Sequence, residues 1–153
     1  MSDLKLSSAS LSTKLLVTSL ICIIGMIYLT LVVHIWIDTE LKPSLVAEAY
    51  GNMEYIELTD HAHFYLPYYG LFLFAIPVIM LMFSSYSEIV KRFFAVFPFV
   101  VVVIDIASMY LIPYLWKGFA MVLWLAGTCL GTSLFILIVL LMYDVWLRKP
   151  ILR

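Results

Sequence analysis

Four long apolar runs limit what this sequence can fold into. They cover residues 15–37, 64–83, 93–112 and 118–143, and the only formal charge inside them is Asp105. About 20 apolar residues in a helix cross a hydrocarbon core about 30 Å thick. The core offers no water to the backbone, so each span has to be a helix that bonds internally. The sequence therefore predicts an all-α, integral-membrane four-helix bundle.

The composition agrees with a membrane protein. Of the 153 residues, 65% are hydrophobic and only 12% are charged, and the mean hydropathy is +1.08. A soluble domain of this length could not bury so much apolar surface, so the lipid bilayer is the first expected partner. The net charge of −1 and the absence of a basic stripe argue against nucleic acid. We interpret residues 1–153 as a single transmembrane domain whose first span is retained, because no cleavage site follows it.

The basic residues predict the orientation. Cytoplasmic segments of membrane proteins carry an excess of Lys and Arg. Seven of the nine basic residues fall at the two ends or in the middle loop, and the other two loops share Lys42 and Lys117. The seven are Lys5, Lys14, Lys91, Arg92, Arg148, Lys149 and Arg153. We therefore expect both termini to be cytoplasmic (N-in, C-in).

The first external loop, residues 38–60, is acidic. It holds six of the ten carboxylates of the chain. Within it, "LKPSLVAEAYGN" predicts a short helix along the interface, with Pro43 near its start and Gly51 near its end. We expect the acidic face to dock other membrane subunits or a periplasmic cytochrome-like protein.

Four polar residues should share the outer leaflet. His34 lies near the outer end of the first span, His61 and His63 precede the second, and Asp105 lies in the third. A charge inside a membrane costs about 2.5 to 3.5 kcal/mol on insertion scales, so Asp105 should face the bundle interior. We expect it to bond to His34 or to a histidine of the second span. The alternative is that Asp105 only locks the bundle by bonding a Tyr, Ser or His.

The two neighbouring histidines should face different ways. Residues two apart point about 200° from each other on a helix, so His61 and His63 cannot serve one compact site unless the helix begins after His61. The face of His63 continues through Gly70, which leaves space for a flat group, whereas that of His61 continues through Tyr65 and Tyr68. We therefore prefer His63 as the ligand-binding residue.

The chemistry available to His63 leaves three options. With His34 it could ligate haem b, or it could ligate a transition metal together with His34 and a carboxylate; it could also hydrogen-bond a quinone head group. His61 would then stabilise the site indirectly, through Asp60 or Glu57. In the alternative, both histidines only bond the loop carboxylates Glu57 and Asp60.

Other features predict packing. Gly127 and Gly131 form a small-residue surface on the fourth span, which favours internal helix packing over dimerisation. Pro67, Pro77 and Pro98 fall inside spans and should kink them. There is no nucleophile elbow, phosphate loop, HExxH or CxxC motif, so an enzyme acting alone is not expected.

The order of motifs resembles a family of uncharacterised four-helix membrane proteins of Proteobacteria. The resemblance rests on "ELTDHAH", "IDIASMYLIPYLWKGFA" and the closing "YDVW", and it covers roughly residues 15–147. The resemblance implies the bacterial inner membrane and gene neighbourhoods rich in cytochromes. We therefore expect a subunit of a redox or respiratory complex that holds haem b or a quinone between His63, His34 and Asp105. The alternative is a cofactor-free scaffold or accessory subunit.

Overall fold

The computed structural model describes residues 5–148, and every regular element in that range is helical. After a 3₁₀ turn, Leu6–Ser8, the α-helices are α1 Leu11–Thr39, α2 Pro43–Gly51, α3 Tyr55–Pro67, α4 Ile76–Met82, α5 Glu88–Tyr114 and α6 Phe119–Met142. A π-helical segment, Tyr68–Ala75, joins α3 to α4, and a second, Tyr143–Leu147, extends α6. Four continuous helical stretches are long and apolar enough to cross a membrane. The predicted all-α membrane bundle is confirmed.

The second span begins earlier than its hydrophobicity suggests. It runs from Tyr55 to Met82, so the predicted loop 38–60 ends inside a helix. Glu54 and Glu57 form a capping box in which Glu57 Oε2 accepts the Glu54 N–H at 3.0 Å. Such a box satisfies the free N–H groups at a helix start and allows a charged first turn. The helix therefore extends beyond the apolar run 64–83 at its N-terminal end.

The predicted loop helix exists and closes one end of the bundle. α2 begins at Pro43 and ends at Gly51, buries Val46, and packs against α1, α5 and α6. A tight turn precedes it, with positive φ at Glu40 and Leu41, and the indole N–H of Trp124 on α6 donates to the Leu41 carbonyl at 2.7 Å. We call this end of the molecule the α2 end, and the other the terminal end.

α5 and α6 share the most extensive contact in the bundle, while α1 is the least buried span. A Cβ atom at Gly131 of α6 would overlap the hydroxyl of Tyr28 on α1, so this glycine packs inside the bundle, as predicted. A Cβ atom at Gly127 would meet open space. Close packing of α1 is therefore local, and elsewhere gaps remain beside it.

The second span changes its winding between the two prolines. In the π segment Tyr68–Ala75 the N–H of Ile76 donates to the carbonyl of Leu71, five residues back. Pro77 has no N–H, so the following turn cannot complete an ordinary ladder there. Pro98, in contrast, lies within α5, which continues without a break from Glu88 to Tyr114.

Candidate functional site

A cavity of about 290 Å³ lies beneath α2, among all four spans. Its ionisable lining groups besides tyrosine are two imidazoles and two carboxylates: His34, Asp38, His61 and Asp105. The rest of the lining is mostly apolar and aromatic. We call it the Asp105 cavity.

Asp105 is the buried polar group of this cavity. It is only 2% exposed, so it faces the bundle interior as predicted. Its Oδ2 atom has no hydrogen-bond partner among the described residues. The predicted bond to His34 is not formed, because the Nε2 atom of His34 pairs with Asp38 Oδ2, 3.6 Å away and one turn further along α1. A buried oxygen without a partner costs roughly 1 to 3 kcal/mol, so Asp105 is retained at the expense of stability unless something else satisfies it.

Four phenol groups line the same cavity as this carboxylate. They belong to Tyr28, Tyr50, Tyr65 and Tyr69. None of their hydroxyls takes part in a hydrogen bond within the described part of the chain. Burial raises the pKa of Tyr50 well above its usual range, and the nearby Tyr65 and Asp105 add to the rise. Tyr50 therefore stays neutral and can both donate and accept a hydrogen bond.

A groove of about 450 Å³ lies beside the cavity, on the side of the bundle. It opens between α1 and the second span, and it shares Leu31, His34, His61 and Tyr65 with the Asp105 cavity. The hydroxyl of Tyr68, another residue of the groove, donates to the Ile27 carbonyl of α1 at 3.1 Å. The groove and the Asp105 cavity therefore share a wall where α1 meets the second span.

A family model named Aq_1264_TM, described as a transmembrane helical domain, matches residues 16–151. The chain belongs to the Aq_1264_TM family. The match takes in the whole of the second, third and fourth spans and nearly all of the first, so groove and cavity both lie within the Aq_1264_TM domain. No curated protein and no solved structure matches the chain.

In this Aq_1264_TM domain, His61 and not His63 lies with His34. His61 lines both the groove and the cavity, whereas His63 is exposed and lines neither. The two rings lie on different faces of one helix, as predicted, and the inward face is that of the buried Leu58 and Tyr65. Those residues are three before and four after His61, so they share its face.

Gly70 does not line the groove or the cavity, and the predicted metal ligands do not form a three-residue cluster within the described residues. Gly70 lies in the π segment, where a Cβ atom would meet open space, but it lines neither opening. Within residues 5–148 no three His, Cys, Asp or Glu residues are placed to hold a metal ion. The Nδ1 atom of His61 lies 2.8 Å from the backbone carbonyl of Glu57, so its partner is the peptide and not the predicted carboxylate.

A second buried aspartate, at the terminal end, has no counterpart in the sequence-based site. Asp144 is fully buried, and both its carboxylate oxygens lie 3.2 Å from the Ser85 N–H. Arg148 pairs with it at 3.5 Å and stacks over the Tyr86 ring at 5.0 Å. The spacing of Asp144 and Arg148, four residues apart on one helix, could have indicated this pair. It was missed because Asp144 directly follows the last apolar run and looks like a boundary charge.

Proposed function

We propose that the chain is the quinone-binding membrane subunit of a redox complex in the bacterial inner membrane. One observation carries the proposal: a groove on the flank of the bundle shares four lining residues with a cavity that holds a buried carboxylate oxygen without a partner among the described residues. A molecule that fits both has an apolar tail and a polar ring. It would reach the site from the bilayer, sideways between α1 and the second span.

The size of the cavity favours one ring. Ligand pockets usually measure about 300 to 1,000 Å³, and at about 290 Å³ the Asp105 cavity is at the low end. A benzoquinone or naphthoquinone head group suits that volume better than a porphyrin does. The phenols and the carboxylate supply the few convergent polar groups that orient such a ring, and the groove accommodates the start of its isoprenoid tail.

The predicted topology determines which side of the membrane this site faces. If both termini are cytoplasmic, the α2 end and its acidic residues face the periplasm. A quinone there lies near the surface at which a periplasmic cytochrome-like protein could dock. The resemblance to membrane proteins with cytochrome-rich gene neighbourhoods supports the same electron-transfer role.

Haem b is the second candidate, supported by how the two imidazoles are held. The Nδ1 atom of His61 faces the Glu57 carbonyl, and the Nε2 atom of His34 faces Asp38. Each ring therefore keeps one nitrogen free, and histidine ligands are usually held in this way through their other nitrogen. Both rings line the same groove, so the haem alternative uses His34 with His61 in place of the pair predicted from the sequence.

A purified sample distinguishes the two candidates from a cofactor-free scaffold. The expected result is quinone extracted in stoichiometric amount and a reduced-minus-oxidised spectrum without b-type bands. Haem would instead give those bands, and they should disappear in His34→Ala and His61→Ala but persist in His63→Ala, the matched control with an exposed ring. Neither quinone nor haem, with no binding of added quinone, would leave the scaffold function.

A further inference from the structure

We infer that the Asp105 cavity selects the reduced, hydroxyl-bearing form of its ligand, with Asp105 accepting a hydrogen bond from a ring hydroxyl. This inference rests on the proposed quinone-binding function and specifies which redox form the site prefers. It starts from the carboxylate oxygen that the protein leaves without a partner.

The groups that could satisfy Asp105 from within the protein are engaged elsewhere or do not reach it. His34 pairs with Asp38, His61 bonds the Glu57 carbonyl, and Trp124 donates its N–H to Leu41. Within the described residues, no Lys or Arg lines the cavity. Four tyrosine hydroxyls line the same cavity, but within the described residues none of them bonds Asp105 Oδ2, so a hydrogen-bonding group brought in by the ligand can take that place.

The two forms of a quinone differ in what they offer to such a group. A quinone carbonyl only accepts hydrogen bonds, whereas a quinol hydroxyl both donates and accepts. An ionised carboxylate only accepts, and a protonated one can also donate. A quinol therefore satisfies Asp105 in either protonation state, whereas a quinone satisfies it only when the carboxyl is protonated.

The phenols around the ring do not oppose this preference. A tyrosine hydroxyl donates to a carbonyl and equally donates to or accepts from a hydroxyl. Tyr28, Tyr50 and Tyr69 therefore suit both redox forms and contribute to general affinity. The discrimination between the forms falls chiefly on Asp105, the buried lining group whose oxygen has no partner among the described residues.

The test compares three probes that share one ring: a ubiquinone with a single isoprenoid unit, its quinol, and the dimethyl ether of that quinol. They are titrated anaerobically by calorimetry into the protein in lipid nanodiscs. A hydrogen bond to a charged acceptor corresponds to a preference of about tenfold or more, so the quinol should bind at least about tenfold tighter than the other two. Such a preference raises the midpoint potential of the bound two-electron couple by about 30 mV per tenfold.

The variant Asp105→Asn should remove the preference, because an amide can donate to the carbonyl as well as accept from the hydroxyl. Glu48→Gln is the matched control: this carboxylate is exposed on α2 and lines neither opening, so the preference should stay. Should Asp105→Asn not fold, the comparison of quinol with its dimethyl ether in the unaltered protein still decides. Equal binding of the three probes, or tighter binding of the quinone, overturns the inference and leaves the proposed function standing. Failure of all three to bind overturns both.

Discussion

The two ends of this bundle each bury an aspartate, and they treat it in opposite ways. At the terminal end both oxygens of Asp144 lie within reach of the Ser85 N–H, and Arg148 stands beside them. At the α2 end an oxygen of Asp105 has no partner in the described part of the chain, and a cavity lies next to it. A buried carboxylate with partners holds helices together, whereas for the one without a partner we propose that a ligand binds. The contrast separates a carboxylate that stabilises the fold from one with a proposed binding role.

Exchanging Asp144 for leucine should have the largest effect on stability. In Asp144→Leu the Ser85 N–H and the Arg148 guanidinium lose their acceptor while remaining largely enclosed. We expect the free energy of unfolding to fall by about 2 to 4 kcal/mol. Titration of the protein with SDS in detergent micelles, followed by circular dichroism, measures it. A loss below about 1 kcal/mol would show that the network at the terminal end contributes little.

The same exchange at Asp105 should act with the opposite sign. Asp105→Leu removes a buried polar group that lacks a partner and fills part of the cavity, so the protein should gain about 1 to 2 kcal/mol. Quinone content of the purified variant should fall at the same time, although membrane insertion is unchanged. A clear loss of stability in the same SDS titration would mean that Asp105 has a structural bond like that of Asp144, and the contrast would fail.

Two glycines on α6 test whether α1 and α6 are closely packed only near Tyr28. In Gly131→Ala the new methyl group overlaps the Tyr28 hydroxyl and forces that ring to move, which should cost about 1 to 2 kcal/mol. Gly127→Ala, one turn away, meets open space and should be neutral. Thermal unfolding of both variants in detergent gives the comparison. Equal destabilisation by the two would contradict the local nature of this packing.

Two tyrosines give the smallest and most specific comparison. The Tyr86 hydroxyl at the terminal end donates to the Leu140 carbonyl at 3.1 Å, so Tyr86→Phe should cost about 0.5 to 1 kcal/mol. The Tyr50 hydroxyl at the α2 end has no hydrogen-bond partner within residues 5–148, so Tyr50→Phe should leave stability unchanged and weaken quinone binding. Unfolding and binding measured on the same preparations separate the two effects. Weaker quinone binding in Tyr86→Phe than in Tyr50→Phe would contradict a ligand site at the α2 end.

The architecture was predictable because the bilayer imposes it. Runs of about 20 apolar residues can only be spanning helices, and four of them appear as such in the structure. The helix in the loop was also predictable, because Pro43 and Gly51 are typical of its two ends. The start of the second span was not, since the capping box at Glu54 places a helix start among charged residues.

The inward face of each span could not be predicted in the same way. Lipid tails are as apolar as leucine, so a membrane helix carries no strong hydrophobic asymmetry that tells core from lipid. For this reason the sequence did not show which histidine faces inward: it favoured His63 as the ligand, whereas in the structure the face of His61 packs inward through Leu58 and Tyr65. The burial of Asp105 was predictable, because a charge cannot face hydrocarbon, but the absence of a partner depends on contacts between distant helices.

The π segment Tyr68–Ala75 rotates the first half of the second span about the helix axis relative to the second half. A π turn takes up about one residue more than an α turn, and each α-helical residue is worth about 100° of rotation. The direction that His61 and Tyr65 face is therefore set separately from the direction that Val78 and Leu81 face. Val78 and Leu81 pack in the core. Deleting one residue here, most simply Gly70, would restore an even winding. It would swing His61 away from the groove by about a quarter turn, while α4 kept its register with α6.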